Sequence, residues 1–344
     1  MSSLCKLIIS QKALLFNSYF LPQRHTIKCT KFMKGVKITM TVPTDVNYTS
    51  QLTKEIIHSL AKEYPFVSVS SIGKSVMGSD IYALKCGYGE KKVFINAAHH
   101  ANEWITTPLL LKFMQRYLSA YDANLHICGI DAKELFMGTT VVCVPLVNPD
   151  GVDLVNGAIE KNSPYYQKAT AISANYEHIP FPDGWKANIE GVDLNLNYPA
   201  LWNSAKKIKK EKGIDSPAPR DYVGTSPLCA PEARALYDLT VASGFCLTLS
   251  YHTQGKVIYW KYLDFLPQNS YEIAQNLSKA SGYAIEVTPS ESGFAGYKDW
   301  FISQYNLPGY TVEAGEGKSP LPKEQFDTIY EANEPLLVSA LNLV

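Results

Sequence analysis

Residues 139–147 read TTVVCVPLV, a run without charge and without alternation. A strand with one wet face alternates apolar and polar positions, so a continuous apolar run needs cover on both faces. Further strands are read at 92–100 (KVFINAAHH), 245–252 (FCLTLSYH) and 309–315 (GYTVEAG). Between them stand segments with helical spacing. These are 107–121, with Pro108 near its first turn, then 231–244, 270–282, 296–306 and a closing helix over 324–343. An earlier helix, 50–65, carries Ile56, Ile57 and Leu60 and stops at Pro65. Strand-like 67–73 and 81–89 follow it, and shorter strands are expected at 256–260 and 284–289. Strands alternating with helices predict an α/β chain in which helices cover both faces of a mostly parallel or mixed sheet.

The stretch 148–230 is rich in Asn-Pro, Pro-Asp-Gly and Ser-Pro turn signals and reads as loop. No repeat and no second composition regime interrupts the pattern, so residues 46–344 are expected to form one domain. The first 45 residues read differently. They are apolar but broken by Lys6 and by Ser10-Gln11-Lys12, too interrupted for a membrane span, and no small-residue cleavage site follows. A weakly structured lead is expected there, with Met33 and Met40 as alternative starts or the segment as a pro-region.

Lys+Arg and Asp+Glu each number 32, so no basic excess points to nucleic acid. The 22 tyrosines and 5 tryptophans fit a shaped pocket better than a phosphate-binding face. Seven cysteines without a C-x-x-C pair argue for a reducing compartment. A cytoplasmic location follows as the expectation, with the cell envelope or secretion as the alternative.

In sheets of this kind, ligands gather beyond the carboxyl ends of the strands. His100 and Glu103 follow the strand at 92–98, His252 ends the strand at 246–251, and Glu313 ends the one in GYTVEAG. A further segment, GVDLNLN (191–197), supplies Asp193, Asn195 and Asn197. Two imidazoles and a carboxylate, with a fourth position left to water, make an open catalytic zinc site. Such an ion lowers the pKa of water towards about 7 and polarises a carbonyl. A neighbouring carboxylate then carries the proton to a leaving amine. A ligand imidazole also needs its other nitrogen held, and Asp193 is a candidate for that.

With HHANEWITTP, VPLVNPDGV, GVDLN and TVEAG in this order, the chain resembles the zinc carboxypeptidase family typified by pancreatic carboxypeptidase A, from about residue 45 to the C terminus. The resemblance implies a three-layer α/β/α sandwich with a mixed, mostly parallel central sheet. It also implies one zinc ion per chain, with His100, Glu103 and His252 as ligands and Glu313 as general base. Asn195 matches a substrate-binding position of the family.

Three departures narrow the reading. The family's carboxypeptidases carry G-V-D-x-N-R-N, whose Arg forks onto the substrate's terminal carboxylate; here that position is Leu196, which offers no donor. The Arg that polarises the scissile carbonyl is matched by Lys186. In the specificity segment SGFAGYKDWF, Lys298 stands beside Asp299, with Tyr297 before them. A cation and an anion together suit a substrate side chain bearing both an amine and a carboxylate, as meso-diaminopimelate does. The runs NPDGVDLV, GWKANIEGVDLN, SYHTQGKVIYW and GYKDWF are similar to the bacterial γ-D-glutamyl-meso-diaminopimelate peptidases, which cut peptidoglycan stem peptides. Larger relatives carry LysM repeats, and none is expected in residues 1–45. The family's catalytic tyrosine has no clear counterpart; Tyr283 and Tyr297 are the nearby candidates.

Plainer readings exist for single residues. His99 suits packing at a strand end, Lys298 and Lys186 suit a solvated surface, and Asn195 and Asn197 suit turns. The expectation is a zinc peptidase acting on peptidoglycan-derived peptides, with no nucleic acid partner, no membrane span and oligomeric state left open. The alternatives are a carboxypeptidase with an atypical anchor and a non-catalytic, zinc-bearing binder of wall fragments.

Overall fold

A computed structural model describes residues 41–289 and 293–343. The expected lead therefore lies outside the described residues up to position 40. Helix α1 (Ser50–Glu63) starts where the Thr49 hydroxyl accepts from the Leu52 amide and buries Thr53, Ile56, Ile57 and Leu60. Strands β1 (Ser68–Lys74) and β2 (Asp80–Cys86) form an antiparallel hairpin. Next come β3 (Lys91–Ala97), α2 (Thr106–Asp122), a small ribbon of β4 (His126–Ile127) and β5 (Ile130–Asp131), α3 (Ala132–Gly138) and β6 (Thr139–Val144). Every residue of β6 is buried, as its unbroken apolar sequence requires.

The stretch read as loop contains three helices, α4 (Pro149–Val155), α5 (Pro164–Ser173) and α6 (Trp202–Glu211). In α4 and α5 the prolines that look like turn signals occupy the first helical turn, behind the caps Asn148 and Ser163. The third, WNSAKKIKKE, buries Trp202, Ala205 and Lys209 at helical spacing, a period that the surrounding turn signals mask. The remaining elements are α7 (Pro231–Ser243), β7 (Leu247–His252), β8 (Val257–Tyr259), α8 (Ser270–Ser281), β9 (Ala284–Glu286), α9 (Tyr297–Tyr305), β10 (Gly309–Glu313) and α10 (Phe326–Asn342).

Among the described residues, the main sheet has eight strands in the order β1-β2-β6-β3-β7-β10-β8-β9. The central four, β6, β3, β7 and β10, are parallel, with antiparallel pairs towards the edges. One face of the centre, built from Val93, Ile95, Leu247, Leu249, Tyr251 and Val312, packs on α2, α8 and α10. The other, with Phe94, Val142 and Val144, packs on Ala233 and Leu236 of α7 and on Trp300 and Phe301 of α9. This is the expected three-layer sandwich with a mixed, mostly parallel sheet.

The chain leaves β3 through α2 on one face to reach β6, and leaves β6 through α7 on the other face to reach β7. The strand order thus reverses between β3 and β7, which opens a crevice at their carboxyl ends. The N-P-D-G segment braces this edge. Asn148, fully buried, donates to the carbonyls of His99 (3.1 Å) and Ala187 (3.0 Å) and accepts from the Gly151 amide (3.1 Å). The Asp150 carboxylate accepts from the Ser75 hydroxyl and the Met77 amide, both at 2.7 Å. A Cβ on Gly151 would lie 2.6 Å from the Asn148 Oδ1 and 2.8 Å from the Ala187 carbonyl, so the approach demands glycine.

Replacing Asn148 by alanine strands three buried backbone groups at once. Asn148→Ala should destabilise the chain by about 2–4 kcal/mol, the scale of several unsatisfied buried polar groups. Urea unfolding measures this, and a loss under about 0.5 kcal/mol would show that the brace carries no weight.

Candidate active site

Three parallel strand ends converge on one point. Ala98 follows β3 with φ of 54°, a left-handed conformation uncommon for alanine, and turns the chain sharply. The turn is held by hydrogen bonds from the Ala98 amide to the Thr106 hydroxyl and from the Asn148 amide to the Ala98 carbonyl. His100 and the short 3-10 turn Ala101–Glu103 follow, so the H-x-x-E pair faces back over the sheet edge. His252 is the last residue of β7, and Glu313, the last of β10, lies directly beside it in the parallel register. One residue earlier, Ala97 of β3 pairs with Tyr251.

The Nδ1 atoms of His100 and His252 face each other at 3.1 Å. Glu103 lies 3.0 Å from the first of these nitrogens through Oε1 and 2.9 Å from the second through Oε2. All three side chains are buried, and their ligand atoms lie within 4.8 Å of one another. Two ring nitrogens turned towards one another around a carboxylate are a donor set that fits a divalent cation with nitrogen and oxygen preference. The Nε2 of His100 lies 3.1 Å from Asp193 Oδ1. That contact fixes the ring and leaves Nδ1 for the metal, as a ligand histidine requires. Asp193 is itself held, accepting from the amides of Asn195 and Asp221.

Lys186 reaches in from the 179–193 loop, its ammonium 2.8 Å from Glu103 Oε1. Its backbone is fixed on both sides: the carbonyl accepts from Ala101 and the amide donates to Pro219. The charges shape each other. Burial opposes ionisation of Glu103, but His100 and Lys186 overcome it and hold the carboxyl well below its usual range. Burial also disfavours charge on His100, yet the Glu103 and Asp193 carboxylates push it up to about 9. For Glu313, burial together with repulsion from Glu103 outweighs the pull of Lys186 and His100 and pushes it up to about 8.

Not every expected residue meets the crevice as anticipated. Tyr297 does not: it is fully buried, its hydroxyl 2.8 Å from that of Thr240 and its ring packed among Phe94, Tyr198 and Trp300. As the first residue of α9 it points into the core, so the expectation of substrate contact is corrected to a packing role. Tyr283 is likewise buried, its hydroxyl accepting from Asn333. Lys298 and Asp299 do line the cavity beside Glu313, but they bond to each other at 2.5 Å and Lys298 also donates to the Lys261 carbonyl. Asn195 lines that cavity too, its Oδ1 accepting from the Tyr297 amide. Asn197 is structural, bonded to Val223, Ser226 and Ala230. His99 packs in the core with its Nε2 3.1 Å from the Tyr198 hydroxyl. Sequence reasoning did not single out Tyr259, Lys209, Arg220 or Asp221, which complete the walls of the same cavity. No motif marks them, because they come from a short strand, a lysine-rich helix and an irregular loop.

The cavity that holds His100, His252 and Glu313 has a volume of about 250 Å3, and a larger one of about 600 Å3 adjoins it across Lys186, Arg220 and Asp221. Fold and site together define a metallopeptidase with a single metal centre at the carboxyl edge of an α/β sheet. The zinc carboxypeptidase family profile matches residues 53–335, and the chain belongs to that family. It is 40% identical over 297 residues to γ-D-glutamyl-L-diamino acid endopeptidase 1 of Lysinibacillus sphaericus, which covers 86% of this chain and 73% of that protein. A Bacillus subtilis (strain 168) protein, YqgT, is also 40% identical, over 86% of this chain and 77% of its own length. The fold matches carboxypeptidase A from Helicoverpa armigera with a TM-score of 0.65 at 20% identity, over 88% of this chain and 76% of the other.

Two outcomes follow from the geometry. Asp193→Asn should lower zinc affinity about 10–100-fold, because the His100 ring loses its charged partner. Competition with a chromogenic chelator measures it, and unchanged affinity would remove Asp193 from the site. Zinc binding at pH 7.5 should also release between about one and two protons, one from His100, which must give up its Nδ1 proton, and a further fraction from Glu313. Calorimetry in buffers of different ionisation heat reads that release.

Proposed function

We propose that this chain is a zinc-dependent peptidase that hydrolyses the amide between a γ-D-glutamyl carbonyl and a diamino acid, meso-diaminopimelate foremost, in peptidoglycan-derived peptides. The observation that carries the reading is the convergence of His100, Glu103, His252 and Glu313 in a chain 40% identical to a γ-D-glutamyl-L-diamino acid endopeptidase. Leu196, on the cavity wall, supports it from the other side: an ordinary carboxypeptidase would need a guanidinium there.

A zinc ion held by His100, Glu103 and His252 would acidify a water and polarise the scissile carbonyl. Glu313 takes the proton from the attacking water and returns it to the departing amine. Without the metal, burial and Glu103 hold this carboxyl up, and a bound cation beside it would favour the ionised form that accepts the proton. Lys186 offers its ammonium to the negative charge that develops on the carbonyl oxygen. Asp193 keeps the His100 ring in one tautomer and one orientation. Asn195 presents its amide to the substrate beside the Lys298–Asp299 pair. That pair is neutral within itself, yet Lys298 keeps a third ammonium proton and Asp299 a second oxygen, a donor and an acceptor for a zwitterionic side-chain end.

We read residues 46–344 as a single catalytic domain. No helix among the described residues is long and apolar enough to cross a membrane. The free thiols of Cys86, Cys128, Cys143, Cys229 and Cys246 support a reducing compartment, and with it recycled wall peptides as the substrate.

The zinc-loaded chain should release free diaminopimelate from L-Ala-γ-D-Glu-meso-diaminopimelate, read by mass spectrometry. Glu313→Gln should cut kcat by about 10²–10⁴-fold with zinc content unchanged. Full turnover in that variant would refute the proton role. Release of C-terminal residues from ordinary α-linked peptides, with the tripeptide left intact, would refute the substrate assignment.

A further inference from the structure

The larger cavity remains unexplained by the chemistry above. Glu313 must protonate the leaving amine, so the leaving diamino acid belongs in the smaller cavity that Glu313 lines, and the acyl half of the substrate extends into the larger one. Lys186, Lys212, Arg220 and Lys318 line the larger cavity, against one carboxylate, Asp221. Lys186 is matched by Glu103, and Asp221 is held at 2.5 Å by Lys209 from α6. Among the described lining residues, Arg220 and Lys318 then contribute positive charge, centred on the guanidinium that stands where the two cavities meet.

Arg220 is exposed, yet its loop is strapped to the site. The Pro219 carbonyl accepts from the amides of Lys186 (2.8 Å) and Ala187 (2.9 Å), and the Ala218 amide donates to Gly191 (3.1 Å). The Asp221 amide donates to Asp193 Oδ2 (3.0 Å), and the Asp193 amide donates to Tyr222 (2.8 Å). Asp221 adopts φ of 70°, a left-handed turn that directs its carboxylate back to Lys209 and to the Nε of Arg220 (3.1 Å). The same carboxylate of Asp193 that orients His100 thus fixes the residue next to Arg220. With Nε committed to Asp221, the two terminal nitrogens of Arg220 remain for a ligand in the cavity.

In the peptide, a γ-linked glutamyl residue itself keeps one charged group on this side of the bond. It carries a free α-carboxylate, three carbons from the scissile carbonyl. We infer that Arg220, supported by the positive potential of Lys318, forms a subsite for this acyl-side α-carboxylate and makes the enzyme discriminate free from amidated glutamyl groups. The inference rests on the γ-glutamyl reading above and adds a specificity-determining residue that lies outside the family motifs in the sequence.

Equilibrium binding tests the subsite without bond cleavage. Zinc-loaded protein is titrated with L-Ala-D-Glu and with L-Ala-D-isoglutamine, which differ only by amidation of the α-carboxyl group. The native chain should bind the first about tenfold or more tightly, the scale of a charge-assisted contact. Arg220→Ala should bring the two affinities together by weakening the first alone, and Arg220→Lys should restore part of the preference, with thermal unfolding unchanged in both. Equal affinities in the native chain, equal weakening of both dipeptides by Arg220→Ala, or no binding of either would overturn the proposal. Cleavage of the parent tripeptide is followed in parallel. Preference without cleavage removes the peptidase reading and keeps the subsite; cleavage without preference removes the subsite alone.

Discussion

The parallel pairing of β7 with β3 on one side and β10 on the other is the constraint on which the site depends. Because the three strands run the same way, their carboxyl ends finish at one edge, and the register aligns Ala97 with Tyr251 and Glu313 with His252. A slip of one residue in either pairing would turn His252 or Glu313 to the opposite face. What holds the register is burial on both sides: Leu247, Leu249 and Tyr251 face one helical layer, while Thr248, Ser250 and His252 face the other. The metal-ligand set is therefore a consequence of how the sheet is covered, with the kink at Ala98 adding the one local adjustment that brings His100 and Glu103 over the edge.

Around that edge the charges are shared rather than paired. Glu103 meets His100, His252 and Lys186 at once, and Asp193 serves both His100 and the 218–222 loop. Removing either carboxylate would leave several buried groups uncompensated, which is costly in a site this enclosed. Glu313 is raised by burial and by the Glu103 charge more than Lys186 and His100 lower it, while Glu103, in direct contact with them, is held well below its usual range. Two glutamates beside the same histidines thus take different charge states from their surroundings alone.

Much of this was legible in the sequence. The uniform apolar character of TTVVCV predicts a strand covered on both faces, and the strand ends predict where the chemistry gathers, whereas LTLSYH and GYTVE alternate and hide that both of their faces are covered. The spacing of His100 and Glu103 and the position of Asp193 carry over directly to contacts of 3.0 and 3.1 Å. What escaped lies in the turn-rich stretch 148–230. Helix α6 was hidden among turn signals although Trp202, Ala205 and Lys209 keep helical spacing, and the 218–222 loop holds Arg220 through backbone hydrogen bonds that no side-chain pattern encodes. Tyr297 misled because its neighbours Lys298 and Asp299 reach the cavity, while the first turn of α9 directs the tyrosine inward. Lys298 and Asp299 also show that adjacent opposite charges in sequence can satisfy one another before any ligand arrives.

Anomalous diffraction at the zinc edge, from crystals grown with the metal, tests the central claim most directly. The account predicts a peak about 2.0–2.2 Å from His100 Nδ1, His252 Nδ1 and a Glu103 oxygen, with His100 Nε2 still on Asp193. A peak ligated through Nε2, or one away from these three side chains, would contradict it.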